Sequence, residues 1–167
     1  MHPNSVEAKI ERYRTKGVVV DTNLLLLYFV GQYDRDQITR FKRTNAYTAD
    51  EFVLLANILS CFSQIVTTPN ILSEVSNLSK GLKPAYFEEF RKQVRVLEEK
   101  YIPSSRVCES NHFAQFGLTD SVIADLSKNQ YLVLTTDLDL AVLLQGLGID
   151  VINFNHLRRQ LWMLGGE

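Results

Sequence analysis

The most constraining feature of the chain is an aspartate, Asp21, that lies between two apolar runs. Three valines at 18–20 precede it, and four leucines at 24–27 follow after two polar residues. The valine run is typical of a buried strand, and the leucine run of the start of a buried helix. Asp21 is therefore expected at the carboxyl end of a strand, where open α/β sheets place ligand sites. Because burying an unpaired charge is costly, a helix N-terminus, a basic side chain or a metal ion must bind it.

Predicted strands and helices alternate along the rest of the 167 residues. We predict strands at 18–21, 65–67, 131–135 and 150–153. We predict helices at 5–16, 23–32, 49–62, from Thr68-Pro69, from Pro84 to about Lys100, from Thr119-Asp120, at 137–145 and at 155–163. The polar stretch 33–47 is predicted to be irregular. Alternating strands and helices favour an α/β fold, a three-layer α/β/α domain with a short parallel sheet of about four to five strands.

Composition narrows the class of protein without identifying it. The chain is 46% apolar and 22% charged with a net charge of −1, so we expect a folded domain whose nucleic-acid contacts, if any, are local. The two cysteines, Cys61 and Cys108, lack metal-ligand spacing and are expected to be reduced. The longest apolar run is too short to cross a bilayer, and the first residues lack a signal-peptide pattern, so we expect a cytoplasmic protein without a membrane partner.

Four acids share a position at a strand end or near a helix start. Asp21 follows the first strand, Glu74 lies in the helix after the second, Asp120 opens a helix, and Asp137 follows the strand at 131–135. Taken singly, Asp120 and Asp137 have an alternative explanation as first-turn acids that favour the helix dipole. The alternative explanation for Glu74 is a solvated helix residue, and the alternative explanation for Asp21 is a helix cap. Asp139, two residues after Asp137, is either a further ligand or a surface residue.

Taken together, the four acids favour a metal site. Strand ends of a parallel sheet meet at one edge, so these carboxylates are expected to converge, and without a cation one of them would be forced to protonate. An all-oxygen site of this kind suits Mg²⁺ or Mn²⁺. Short polar residues flank the acids and are expected to orient them or to position a water; they are Thr22, Asn23, Thr135 and Thr136.

Four segments of the chain resemble the PIN domain, a nuclease fold found in many toxins of toxin–antitoxin pairs and in several RNA-processing enzymes. They are the segments 19–25, 68–75, 118–124 and 134–140, which read VVDTNLL, TPNILSEV, LTDSVIA and LTTDLDL. Each segment is weakly specific alone, and their order makes them more specific together. The resemblance covers about residues 18–154, so residues 1–17 would form an N-terminal helical extension and 18–167 the PIN-like nuclease domain.

The resemblance implies an activity and a set of site residues. The positions equivalent to Asp21, Glu74, Asp120 and Asp137 bind Mg²⁺ or Mn²⁺ in that family and activate water to cut single-stranded RNA. Asp139 would be an additional metal ligand. The resemblance also implies an antitoxin protein and a second copy of the chain as partners. The N-terminal helix and the long span before Glu74 differ from the small toxins of the family.

Two clusters of basic residues are candidates for contact with an RNA backbone. The first lies in the polar stretch 33–47 and comprises Arg35, Arg40, Lys42 and Arg43. The second lies on a predicted helix and comprises Arg91, Lys92 and Arg95. A solvated surface is the alternative explanation for both clusters.

Three other kinds of protein share part of this sequence pattern. The segment 134–139 resembles the nucleophile motif of haloacid-dehalogenase-type phosphatases, but too little chain follows it. A receiver domain needs a late lysine, and no lysine follows Lys128. The remaining alternative is a PIN-like scaffold that binds RNA or protein without cutting. Such a scaffold is expected to have lost an acid, whereas this sequence retains all four.

Overall fold

A five-stranded parallel sheet forms the centre of the protein. We describe residues 2–164 in a computed structural model of the chain. The strands are β1 (Val18–Val20), β2 (Ile65–Thr67), β3 (Glu98–Glu99), β4 (Leu132–Thr135) and β5 (Val151–Asn153). Their order across the sheet is β3-β2-β1-β4-β5, and every neighbouring pair is parallel. The predicted α/β class with a three-layer α/β/α arrangement is confirmed.

Helices connect the strands and pack on the sheet. In chain order they are α1 (Val6–Tyr13), α2 (Thr22–Tyr33), α3 (Arg35–Arg40), α4 (Ala49–Ser60), α5 (Pro69–Leu78), α6 (Pro84–Val96), α7 (Ser104–Val107), α8 (Phe113–Ser127), α9 (Leu138–Gly146) and α10 (Phe154–Leu164). None of the described helices is long and apolar enough to cross a membrane. The predicted capping box is present, because Thr48 and Glu51 exchange side-chain-to-backbone hydrogen bonds at the start of α4.

The structure corrects the sequence prediction in three places. The stretch 33–47, predicted to be irregular, contains helix α3, which is capped by the Asp34 side chain. The helix that begins at Pro84 ends at Val96 rather than near Lys100, and the edge strand β3 follows it. A short helical segment that the sequence did not predict begins at Phe113 and ends at a break at Gly117, where φ is 77° and ψ is −177°; the predicted helix with Thr119 and Asp120 follows that break, and the two segments together form α8. Such a backbone conformation is open almost only to glycine.

The N-terminal helix α1 packs onto the domain. Tyr13 is buried, and its hydroxyl donates to Asp150 at 3.0 Å. Arg12 forms an ion pair with the same carboxylate, and Lys9 donates to the carbonyl of Val151 at 3.0 Å. These contacts tie α1 to the segment that leads into β5, so the helix is joined to the domain by polar bonds as well as by apolar packing.

The chain reverses its direction across the sheet between β1 and β4. From β1 it moves through β2 to the edge strand β3, then returns to place β4 on the other side of β1 and continues to β5. The carboxyl ends of β1 and β4 therefore border the crevice at which sheets of this type bind ligands. Asp21 follows β1 directly, and Asp137 lies two residues after the end of β4.

Candidate functional site

Asp21 is a buried carboxylate held by two hydrogen bonds. Its side chain is 7% exposed and caps helix α2. One oxygen accepts from the backbone N–H of Thr22 at 2.7 Å, and the other accepts from the hydroxyl of Thr135 at 2.7 Å. Burial raises the pKa of Asp21 although both hydrogen bonds lower it, and the negative charges of Asp137 and Glu74 raise the pKa further. The carboxylate is thus oriented but its charge is not fully compensated.

Thr135 links Asp21 to Asp137. While its hydroxyl donates to Asp21, the same oxygen accepts from the backbone N–H of Asp137 at 2.9 Å. Asp137 in turn caps helix α9 by accepting from the N–H of Leu140 at 3.0 Å. A single threonine at the end of β4 therefore fixes the positions of two acids on neighbouring strands.

Glu74 reaches the same region from helix α5. The hydroxyl of Thr22 donates to one of its oxygens at 2.9 Å, and the hydroxyl of Thr119 donates to the other. Thr22 follows Asp21 at the start of α2, and Thr119 precedes Asp120 in α8. The two hydrogen bonds therefore join α5 to the elements that carry two of the other acids.

The charges of the three other predicted acids act on Asp120. Its pKa is raised from 3.8 to about 7. Burial is the largest cause, and the charges of Asp21, Asp137 and Glu74 follow in that order. All three other predicted acids thus lie close enough to make ionisation of Asp120 unfavourable. We call these four residues the acid cluster.

The acid cluster has no basic partner in the part of the chain that the structure describes. No Lys, Arg or His nitrogen there lies within 4.0 Å of any of the four carboxylates. Above their pKa such carboxylates repel one another and destabilise the folded protein, unless a cation binds or one of them holds a proton. The donor set consists of carboxylate oxygens flanked by threonine hydroxyls, which is the chemistry that Mg²⁺ and Mn²⁺ prefer.

The acids do not form a closed metal cage. Between residues 2 and 164, no three His, Cys, Asp or Glu side chains are gathered into a group ready to hold a metal ion. Mg²⁺ does not need such a cage, because it commonly retains several waters and binds through one or two carboxylates and a substrate phosphate. The donor set therefore fits an ion that keeps part of its water shell.

A cavity of about 450 Å³ opens beside the acid cluster. We call it the acid-edge cavity. Its acidic lining residues are Asp120, Asp137 and Asp139, and Asp139 is exposed in the first turn of α9. Its other lining residues are Gln115, Phe116, Leu138 and Val142. Asp139 thus lies on the cavity wall beside the cluster, while the charges that act on Asp120 come from the other three acids.

The remaining predicted site residues take different positions. Asn23 is exposed on α2, and Thr136 takes part through its carbonyl, which accepts from the side-chain amide of Asn155 at 3.0 Å. The guanidinium of Arg35 lies 5.5 Å from the ring centroid of Phe52. The other basic residues of the stretch 33–47 are exposed, namely Arg40, Lys42 and Arg43. On α6, Arg91 and Lys92 pair with glutamates three residues earlier.

The sequence interpretation overlooked Thr119 and the polar network around Arg158. A pattern in the sequence points to Thr119. Thr22 directly follows Asp21, Thr119 directly precedes Asp120, and Thr135 lies two residues before Asp137. Arg158 has no local signal. Its guanidinium donates to both oxygens of the buried Glu51, at 2.7 and 3.2 Å, and to the side-chain oxygen of Asn155 at 3.1 Å. Asn155 then holds the Thr136 carbonyl, next to Asp137.

Comparison with known proteins does not assign the chain to a family. No protein-family model and no curated protein matches it. The functional conclusion therefore rests on the geometry and electrostatics of the acid cluster.

Proposed function

We propose that this protein is a metal-dependent endoribonuclease that cleaves phosphodiester bonds of single-stranded RNA at the acid cluster. The observation that carries the proposal is the set of threonine hydrogen bonds that brings these acids together: Thr135 contacts Asp21 and Asp137, and Thr22 and Thr119, the neighbours of Asp21 and Asp120, both donate to Glu74. Four carboxylates from four separate segments, with no basic partner in the described residues, create a negative potential that attracts a divalent cation. The resemblance of the same four positions to the PIN domain supports the nuclease activity.

The residues that would hold the cation are Asp21, Glu74, Asp120 and Asp137, one or two of them directly and the others through waters that the ion retains, and Asp139 would contact it through a water from the cavity wall. A bound Mg²⁺ or Mn²⁺ would supply Lewis acidity toward a phosphoryl oxygen and a water of lowered pKa. The chain itself supplies orientation. Thr135 fixes Asp21 and Asp137, and the hydroxyls of Thr22 and Thr119 fix both oxygens of Glu74.

Cleavage of an unstructured RNA tests the proposal. Purified protein should cut a labelled single-stranded RNA when Mn²⁺ or Mg²⁺ is added and should stop when the metal is chelated. Asp21→Asn should lower the rate by about 10²-fold or more, because it weakens charge and orientation at the centre of the cluster. Asp36→Asn is a matched control, since Asp36 is an exposed acid on α3.

The same experiment separates the nuclease from the scaffold that binds without cutting. Circular dichroism must show that Asp21→Asn is folded before its loss of cleavage is interpreted. If the wild-type protein cuts neither single-stranded RNA nor single-stranded DNA with any divalent metal, the nuclease proposal fails. RNA binding without cleavage would then favour the scaffold.

A toxin and an RNA-processing enzyme would share this site but differ in the effect of expression. A toxin should arrest growth when it is expressed alone, and the product of an adjacent gene should relieve the arrest. Expression of an RNA-processing enzyme should cause no growth arrest, so there is none for the product of an adjacent gene to relieve. Expression of the wild-type chain beside Asp21→Asn therefore tests whether the proposed nuclease acts as the toxin of a toxin–antitoxin pair.

A further inference from the structure

The acid-edge cavity is lined by two chemically different sets of side chains. Asp120, Asp137 and Asp139 are acidic. Three others are apolar, and we call them the apolar wall: Phe116, Leu138 and Val142. A cavity of about 450 Å³ lies within the roughly 300–1,000 Å³ that is typical of small-ligand sites.

Two residues of the apolar wall are exposed next to the acid cluster, and Phe116 is half-buried. Leu138 is 63% exposed and Val142 is 59% exposed. They lie four residues apart on α9 and therefore share one face of that helix. Apolar residues of this size that remain exposed together beside a polar site commonly mark a binding surface.

Phe116 lines the same cavity from the segment before the break in α8. The break at Gly117 separates the short helical segment that carries Gln115 and Phe116 from the segment that carries Asp120. Phe116 before the break and Asp120 after it both line the cavity.

We infer that the apolar wall holds the nucleobase next to the phosphodiester that is cleaved, an inference that rests on the proposed nuclease function. A base is uncharged and has apolar faces, so it can pack on Phe116 beside the carboxylates without the repulsion that a phosphate would meet there. Gln115 offers both an amide donor and an acceptor to the base edge. Because stacking on an aromatic ring suits every base, this subsite should select for the presence of a base more than for its identity.

Abasic substitution in the RNA tests the inference. A set of otherwise identical unstructured RNAs would carry one abasic residue at each position around the cleaved bond. With Mn²⁺ and wild-type protein, the abasic residue at one flanking position should lower kcat/KM about tenfold or more, whereas positions farther away should have little effect. Phe116→Ala should cause a similar loss on the intact RNA and little further loss on the RNA abasic at that flanking position.

Two further variants test whether the effect is specific to the apolar wall. Leu138→Ser removes an exposed part of the wall, so it should lower kcat/KM on intact RNA while the protein remains folded. Tyr101→Ala is the matched control, because Tyr101 is 74% exposed and lies outside the acid-edge cavity, and it should cleave like the wild type.

The possible outcomes distinguish this inference from the proposed function. If the wild-type protein cleaves RNA but neither the abasic residues nor the two wall variants change kcat/KM, the base subsite is wrong and the nuclease stands. If Phe116→Ala lowers kcat/KM by the same factor on every abasic RNA, the ring does not contact the base and the inference is also overturned. If the wild-type protein cleaves nothing, both proposals fall together.

Discussion

Replacing Asp120 by asparagine should make the metal-free protein more stable than the wild type at alkaline pH. The pKa of Asp120 is about 7 in the folded protein, whereas its ordinary value is 3.8. Between these two pH values the folded state binds more protons than the unfolded state, so the free energy of unfolding falls as pH rises. The penalty is absent below pH 3.8 and complete above about pH 7. An asparagine does not ionise and avoids it.

The size of the effect follows from the pKa shift. A change from 3.8 to about 7 corresponds to about 4 kcal/mol, at roughly 1.36 kcal/mol for each pH unit. Water reaches part of the Asp120 side chain and screens the neighbouring charges, so we reduce this figure to about 2 kcal/mol. Relative to the wild type, Asp120→Asn should therefore gain about 2 kcal/mol of unfolding free energy between pH 4 and pH 8.5.

Urea unfolding in a chelating buffer measures this difference. The free energy of unfolding would be determined for both proteins at pH 4 and at pH 8.5, and the quantity of interest is how their difference changes with pH. Asp139→Asn is the matched control, because it removes an exposed carboxylate from the same cavity, and it should change stability by less than about 0.5 kcal/mol at both pH values. Adding Mn²⁺ at pH 8.5 should stabilise the wild type more than Asp120→Asn.

One result would refute the reasoning. If the stability difference between Asp120→Asn and the wild type is the same at both pH values, then burial and the three neighbouring carboxylates together do not raise the pKa of Asp120, and the reasoning fails. A constant offset alone would reflect only the lost or gained contacts of the new side chain.

Two further predictions concern stability away from the acid cluster. Arg158→Met should cost about 3–5 kcal/mol in urea unfolding, because it leaves the fully buried carboxylate of Glu51 without its bidentate partner, and adding Glu51→Gln should recover part of the loss. If the single and double variants are equally unstable, the ion pair is not the cause. Gly31→Ala should cost about 1–3 kcal/mol in thermal unfolding, because its Cβ would overlap the ring of Phe52 on α4, and an unchanged melting temperature would show that the ring moves freely.

Four of the five strands and two of the acids were predictable because their signals are local. A β-branched run followed by an acid and a leucine-rich helix start predicts both β1 and Asp21. The run that ends at Thr135 predicts β4 and the position of Asp137 in the same way. These residues lie at the ends of central, buried strands, where composition and position agree.

The parts that were missed depend on contacts distant in sequence. Strand β3 consists of two glutamates, which no propensity would assign to a sheet, and it forms because it pairs with β2 at the edge. The stretch 33–47 is polar in composition, yet three of its residues are buried against the core, namely Ile38, Phe41 and Tyr47. The hydrogen bond from Thr119 to Glu74 likewise joins two helices whose packing no local pattern encodes.

The hydrogen bond between Thr135 and Asp21 joins residues that are 114 positions apart in the chain. During synthesis, β1 must therefore remain with one edge unpaired until the residues through β4 have been made and can pair with it. Closing so large a loop is slow compared with forming local helices. The acid cluster is thus a late product of folding, and a ribosome-bound nascent chain that ends before β4 lacks both Thr135 and Asp137. Only a polypeptide that extends beyond β4 can assemble the acid cluster.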